Sequence, residues 1–102
     1  MGKTEILNNI KRRISSVDTE AKVILFGSRA RNEMHKESDW DLLILTPRPV
    51  TISYKNQIRD QLFQSELETG EVITGIIRNE KEWNDLKLTS LYQNIQEEGI
   101  EI

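Results

Sequence analysis

Two short apolar runs constrain the fold of this chain most, because each is too short for a buried helix and continuous enough for a buried strand. Residues 23–26 read Val-Ile-Leu-Phe and end at Gly27, and residues 40–45 read Trp-Asp-Leu-Leu-Ile-Leu. Pro47 and Pro49 follow the second run, and proline cannot continue the hydrogen-bond ladder of a strand. The sequence therefore predicts two strands buried in a sheet, each followed by a turn.

The segments around these runs have the apolar spacing of amphipathic helices. Isoleucines at 6, 10 and 14 predict a helix over about 3–16. Further helices are predicted around residues 54–69, ending at Gly70, and around 88–98, closing at Gly99, with a short helical turn near 80–86 and a third strand over 72–77. Helices interleaved with strands favour a small α/β or α+β domain, in which helices pack against one sheet.

Length and composition exclude several classes of protein. We expect a single domain over residues 1–102, because a chain of 102 residues has little material for a second core. The 14 basic and 17 acidic residues leave a net charge of −3, which argues against a basic nucleic-acid-binding face. The chain has no cysteine for a thiolate or disulfide site, and no apolar run approaches the length of a membrane span. We therefore expect a small cytoplasmic protein.

The first stretch with residues suited to binding or catalysis is Gly27-Ser28-Arg29-Ala30-Arg31, which directly follows the first strand. Glycine allows a sharp backbone turn, and Ser28 is a residue type that caps the start of a helical turn. Backbone N–H groups at such a start bind phosphate, and Arg29 and Arg31 would add positive charge. A Gly-Ser pair after a strand is more often only a turn, so this stretch alone does not establish a site.

The second stretch is Asp39-Trp40-Asp41, at the start of the other strand. Side chains two residues apart on a strand leave the same face, with Cα atoms about 6–7 Å apart, so the two carboxylates can converge on a divalent cation. The plain alternative is a solvated acidic strand end. Without a cation, paired carboxylates repel each other and raise each other's pKa.

Taken together, the two stretches resemble a known signature. Gly27-Ser28, ten intervening residues and then Asp39-Trp40-Asp41 is similar to the motif of the minimal nucleotidyltransferases, which belong to the DNA polymerase β-like nucleotidyltransferase superfamily. The segment from Ser90 to Ile100 also resembles the closing helix and turn of many such domains. The resemblance thus covers nearly the whole chain.

The resemblance implies an α+β fold of the polymerase β palm type, with a small mixed sheet flanked by helices. It also implies transfer of a nucleoside monophosphate from ATP or another nucleoside triphosphate. Gly27 and Ser28 would hold the triphosphate, with Arg29 and Arg31 beside them. Asp39 and Asp41 would be the catalytic carboxylates that bind Mg²⁺ or Mn²⁺, in agreement with the preference of Mg²⁺ for carboxylates and substrate phosphates.

Two positions depart from the family pattern. Asn32 stands where many members have glycine, and asparagine is the next most tolerant residue in a left-handed turn. Thr74 stands where the family places a third aspartate, and threonine supplies neither charge nor a base. Glu71 lies three residues earlier, which in a regular strand is about 10 Å away and on the opposite face. Glu66 and Glu68 are more remote alternatives.

Two functions therefore stay open. One is an enzyme that transfers AMP from ATP to an acceptor hydroxyl. The other is a nucleotide-binding module with weakened catalysis that acts by binding a partner. The family resemblance implies a partner protein, since small members are frequently the antitoxin of a HEPN-type ribonuclease toxin. We expect no binding to membranes and no direct binding to nucleic acid.

Overall fold

The computed structural model of the protein describes residues 1–31 and 39–102, so Asn32 lies outside the described residues. The helices are α1 (Lys3–Ser15), α2 (Ile52–Thr69), α3 (Glu80–Asn84) and α4 (Ser90–Glu98). The strands are β1 (Lys22–Phe26), β2 (Trp40–Thr46), β3 (Ile73–Asn79) and β4 (Ile100–Glu101). None of the helices in these two ranges is long and apolar enough to span a membrane.

The strands of the described residues form one mixed sheet in the order β3-β2-β1-β4. Strand β1 runs antiparallel to β2 and β4, whereas β2 and β3 run parallel and are connected through α2. Parallel neighbours need a crossover of this kind, and a helix is its usual form. The predicted α+β class, a small mixed sheet flanked by helices, is confirmed.

Strand β2 lies between two apolar layers. On one face, Leu42 and Ile44 pack with isoleucines of α1 and with Ile58 of α2. On the other face, Leu43 and Leu45 pack with Trp83 of α3 and Ile95 of α4. The continuous apolar run of β2 thus follows from burial on both faces, as is usual for a central strand with parallel pairing.

Most predicted boundaries agree with the structure. Gly70 ends α2 in the left-handed conformation at φ 72°, and the Thr89 hydroxyl accepts a hydrogen bond from the Tyr92 N–H at 3.3 Å to cap α4. The sequence missed β4, because a two-residue strand has no alternation to detect. It exists because Ile100 and Glu101 pair with β1.

A buried carboxylate, which the sequence analysis missed, ties the far end of β2 to α2. Asp18 accepts hydrogen bonds from the Thr46 hydroxyl (2.6 Å), the Tyr54 hydroxyl (2.8 Å) and the Glu20 N–H (3.0 Å). Burial alone would raise the pKa of Asp18. These hydrogen bonds and the charge of Arg48 outweigh that effect and lower it. Asp18 therefore stays ionised and fixes the end of β2 opposite to the predicted site.

Helices α1 and α2 are joined by a polar link across their outer surface. Glu68 accepts hydrogen bonds from the Arg13 Nε at 2.9 Å and from the Asn9 amide at 3.0 Å, and its second oxygen pairs with the Arg13 guanidinium. The hydrogen bond from Arg13 is the main cause that lowers the pKa of Glu68 to about 2 from its ordinary value of 4.5. Because the folded-state pKa lies below the unfolded-state pKa, this carboxylate stabilises the fold above about pH 4.5.

We expect Glu68→Gln to lower the free energy of unfolding at neutral pH, and the difference from wild type to shrink as the pH falls from about 4.5 to about 2. The reason is that the wild-type carboxylate takes up its proton in this window and loses the Arg13 pair. Denaturant titrations at a series of pH values measure the difference. Asp60→Asn, an exposed acid on the same helix, is the matched control. A Glu68→Gln deficit that is unchanged at pH 2 contradicts the prediction.

Candidate nucleotide site

Three strand ends meet at one edge of the sheet. Because β1 is antiparallel to β2 and β3 is parallel to it, the end of β1 lies beside the starts of β2 and β3. Phe26 is paired with Asp41, and Asp41 is paired with Thr74. This register brings the Gly27 turn, the two aspartates and Thr74 to the same place, although the chain separates Gly27 from Thr74 by more than 40 residues.

The turn after β1 depends on glycine at position 27 for two reasons. Gly27 has a φ of 75°, and its carbonyl accepts hydrogen bonds from the N–H groups of Ala30 (3.1 Å) and Arg31 (3.2 Å). A Cβ atom at position 27 would also overlap the carboxylate of Asp41. The backbone of the turn therefore lies directly against Asp41, and Ser28 follows within the turn.

The two carboxylates influence each other electrostatically. Asp39 is exposed just before β2, and Asp41 is half-buried. Burial is the main cause that raises the pKa of Asp41, and the negative charge of Asp39 raises it further, whereas Arg31 opposes the shift. A divalent cation between the carboxylates would relieve this repulsion, and carboxylate oxygens suit Mg²⁺ and Mn²⁺.

The pair is not a complete metal site by itself. No group of three histidine, cysteine, aspartate or glutamate side chains in residues 1–31 and 39–102 is placed to hold a metal ion. Asp39 and Asp41 fit an ion whose remaining ligands come from water and a bound phosphate, which is how Mg²⁺ is usually held.

The two predicted arginines of the turn lie on different sides of β2. The Arg29 guanidinium lies 4.4 Å from the centre of the Trp40 ring and 3.9 Å from the Glu71 carboxylate, and the residue is buried. Trp40 belongs to the core under α1 and α2, so the Arg29 side chain lies on the face opposite to that of Asp41. The structure therefore does not bring the Arg29 guanidinium to the carboxylate pair, and a nucleotide contact of Arg29 stays a prediction.

Arg31 lies on the side of the carboxylates. Its guanidinium donates to Glu98 at 2.8 Å, and its charge acts on Asp41. Glu98 also accepts a hydrogen bond from the Gly27 N–H at 3.4 Å. The sequence analysis did not single out Glu98, because nothing in its neighbourhood reveals that α4 returns to the end of β1.

Thr74 is exposed beside Asp41, at the position where the family resemblance implies a third acid. The alternative acids contact other groups, although Glu66 lines the same pocket as Thr74. Glu71 lies near Arg29, Glu66 accepts a hydrogen bond from the Ile73 N–H at 3.1 Å, and Glu68 pairs with Arg13. In the strand register, the residue beside Asp41 on β3 thus supplies a neutral hydroxyl and not a third carboxylate.

The chain matches the family model described as "Nucleotidyltransferase domain" over residues 5–102. It is also similar to two proteins of Methanocaldococcus jannaschii. It is 32% identical over 100 residues to "Putative protein adenylyltransferase MJ0141", covering 96% of each chain. It is 37% identical over 78 residues to "Putative protein adenylyltransferase MJ0604", covering 76% of this chain and 73% of the relative.

A solved structure has the same fold. It is described as "Crystal structure of the toxin-antitoxin with AMP-PNP", and it superposes with a TM-score of 0.66 at 16% sequence identity. The match covers 92% of this chain and 69% of that chain. The family match spans nearly the whole length of the chain, and it agrees with the paired aspartates and with the Gly27 turn that packs on Asp41. The chain therefore belongs to the nucleotidyltransferase domain family.

Proposed function

We propose that this protein transfers AMP from ATP to a hydroxyl group of a partner protein of the HEPN toxin type. The observation that supports this most is the packing of the Gly27 turn against Asp41, since it brings a backbone suited to phosphate next to two carboxylates suited to a divalent cation. In this assignment Gly27, Ser28 and Arg31 bind the triphosphate, and Asp39 and Asp41 are the catalytic carboxylates.

The proposed reaction is an in-line displacement at the α-phosphorus of ATP. The acceptor oxygen forms a bond to this phosphorus, the bond from phosphorus to the bridging oxygen breaks, and pyrophosphate leaves with the bond electrons. The acceptor proton must pass to a base or to water. A divalent ion, Mg²⁺ or Mn²⁺, held by Asp39 and Asp41 would supply charge neutralisation for the phosphates and the developing oxyanion.

The residues of this chain supply more of the groups that would bind the phosphates than of those that would activate the acceptor hydroxyl. The Gly27 turn and Arg31 supply donors for phosphate oxygens. At the acceptor side, Thr74 cannot take a proton as a carboxylate does, and no third carboxylate of the described residues forms a metal-binding group with Asp39 and Asp41. We therefore expect the protein to bind the nucleotide but to transfer AMP slowly.

A protein acceptor is supported by three observations. Both curated relatives carry the description "Putative protein adenylyltransferase", and the solved neighbour is described as a toxin-antitoxin. The net charge of −3 gives no general attraction to nucleic acid, whereas a basic ribonuclease would be attracted to an acidic partner. The second candidate function, a partner-binding module without transfer, is favoured by Thr74 alone.

Co-expression with the neighbouring reading frame tests the proposal. We expect the two chains to co-purify and the partner to gain the mass of one or more AMP groups, measured on the intact protein. Asp41→Asn should abolish the mass gain while the complex persists, because it removes one catalytic carboxylate at nearly constant size. Asp60→Asn, a remote acid on α2, should leave the mass gain unchanged.

The outcomes separate the two candidate functions. A complex without added mass supports the binding module. Absence of any complex, together with transfer to an RNA end or a small-molecule hydroxyl, contradicts the protein acceptor.

Thr74→Asp is expected to raise the rate of transfer, because it places a carboxylate beside Asp41 on the same face of the sheet. A single general base contributes about 10²–10⁴-fold, so a rise of about tenfold or more should be measurable with labelled ATP. Thr74→Asn is the matched control, since it has the same size as aspartate and no charge. If the wild type is already fast and Thr74→Asp slows it, another group completes the site.

A further inference from the structure

Glu98 lies at the proposed phosphate-binding turn because β4, which follows it closely in the chain, pairs with β1. Strand β4 pairs antiparallel with β1, with Ile100 opposite Leu25 and Glu101 opposite Ile24. Gly99 and Glu98 directly precede this paired segment, so they lie next to the end of β1. The last residue of α4 is therefore placed at the turn by strand pairing.

Close packing keeps this end of α4 against β1. A Cβ atom at Gly99 would lie 2.8 Å from the Ile24 Cγ2, so the backbone at Gly99 can approach β1 only because it has no side chain. Ile95, one turn earlier, is buried in the core under α3 and α4. The backbone at Glu98 is thus held in place from both sides, by the burial of Ile95 before it and by the packing of Gly99 after it.

Within residues 1–31 and 39–102, the Glu98 carboxylate accepts two hydrogen bonds, and both come from donors of the proposed phosphate site. One oxygen accepts from the Gly27 N–H at 3.4 Å, and the other accepts from the Arg31 guanidinium at 2.8 Å. A carboxylate and a phosphate are both anions that accept hydrogen bonds. The single Gly27 N–H cannot point fully at both, so a phosphate at the turn must compete with Glu98.

A more highly charged anion can displace the Glu98 carboxylate from these two contacts. The hydrogen bond to the Gly27 N–H is long, and the side chains of Arg31 and Glu98 remain 43% and 24% exposed, so water reaches the pair. Asp39 and Asp41 add further negative charge at the same edge of the sheet. The additional charge of Glu98 therefore opposes the binding of a phosphate at this turn.

We propose that the Glu98 carboxylate occupies the anion position of the Gly27–Arg31 turn and lowers the affinity for the triphosphate of the nucleotide, which must displace it. This proposal rests on the phosphate site of the proposed function and adds a residue that sets its affinity. The opposite role, in which Glu98 holds Arg31 ready for the nucleotide, predicts the opposite sign when the charge is removed.

The test uses inorganic tripolyphosphate without divalent metal, so that neither a nucleobase nor a metal ion held by Asp39 and Asp41 contributes to binding. We expect Glu98→Gln to bind tripolyphosphate about two- to fivefold more tightly than wild type by calorimetry, the range expected for the loss of one partly exposed competing charge. The matched control is Glu97→Gln, which removes the same charge from the neighbouring, exposed position of α4 and should bind as wild type does.

The wild-type protein provides a second measurement that does not depend on the folding of a variant. On titration with tripolyphosphate, the NMR signals of the Gly27 amide and the Glu98 side-chain carboxyl carbon should shift together, at the same concentration. A shift of the Gly27 amide without a shift at Glu98 overturns the proposal. Equal or weaker binding by Glu98→Gln, or absence of binding by every variant, also overturns it.

These results are distinguishable from failure of the proposed function. If Glu98→Gln binds tripolyphosphate more tightly and no variant transfers AMP, the anion competition holds and the transferase proposal fails. If the wild type transfers AMP and Glu98→Gln binds tripolyphosphate no better, the transferase proposal holds and the role of Glu98 is wrong.

Discussion

The pairing of β2 with its two neighbours is the constraint on which the rest of the structure depends. Leu42 and Leu43, on opposite faces of β2, are both fully buried, and burying a side chain of this size contributes about 1.5–3 kcal/mol. A shift of one residue would exchange the two faces and bring Asp41 under the α1 and α2 layer. The register is therefore strongly determined, and it decides which side chains meet at the site edge.

This register brings groups of opposite charge together at the site. Asp39 and Asp41 place negative charge beside the Gly27 turn and Arg31, which bind the phosphates in the proposed function. Glu98 adds an anion of the protein itself at that turn. Such an arrangement suits a ligand that brings both phosphates and a divalent ion. In the proposed function, Thr74 leaves the acceptor side of the site without a third carboxylate.

Local patterns predicted much of the fold. The spacing of Ile6, Ile10 and Ile14 predicted the buried stripe of α1, and Gly70 predicted the end of α2, because both depend on neighbouring residues only. The apolar layer under α3 and α4 was less visible, since Leu43 and Leu45 interrupt any alternation along β2. Buried Asp18 was missed because its partners Thr46 and Tyr54 are distant in the sequence.

The sequence by itself determined the chemical groups of the site and their local spacing. A glycine-serine turn after a buried strand and aspartates two residues apart are properties of short segments, and they identify the family without any tertiary information. Only the tertiary structure decided that the Arg29 side chain stacks on Trp40 and that Glu98 meets Gly27. These contacts join distant segments, so they depend on the strand register and on the packing of helices against both faces of the sheet.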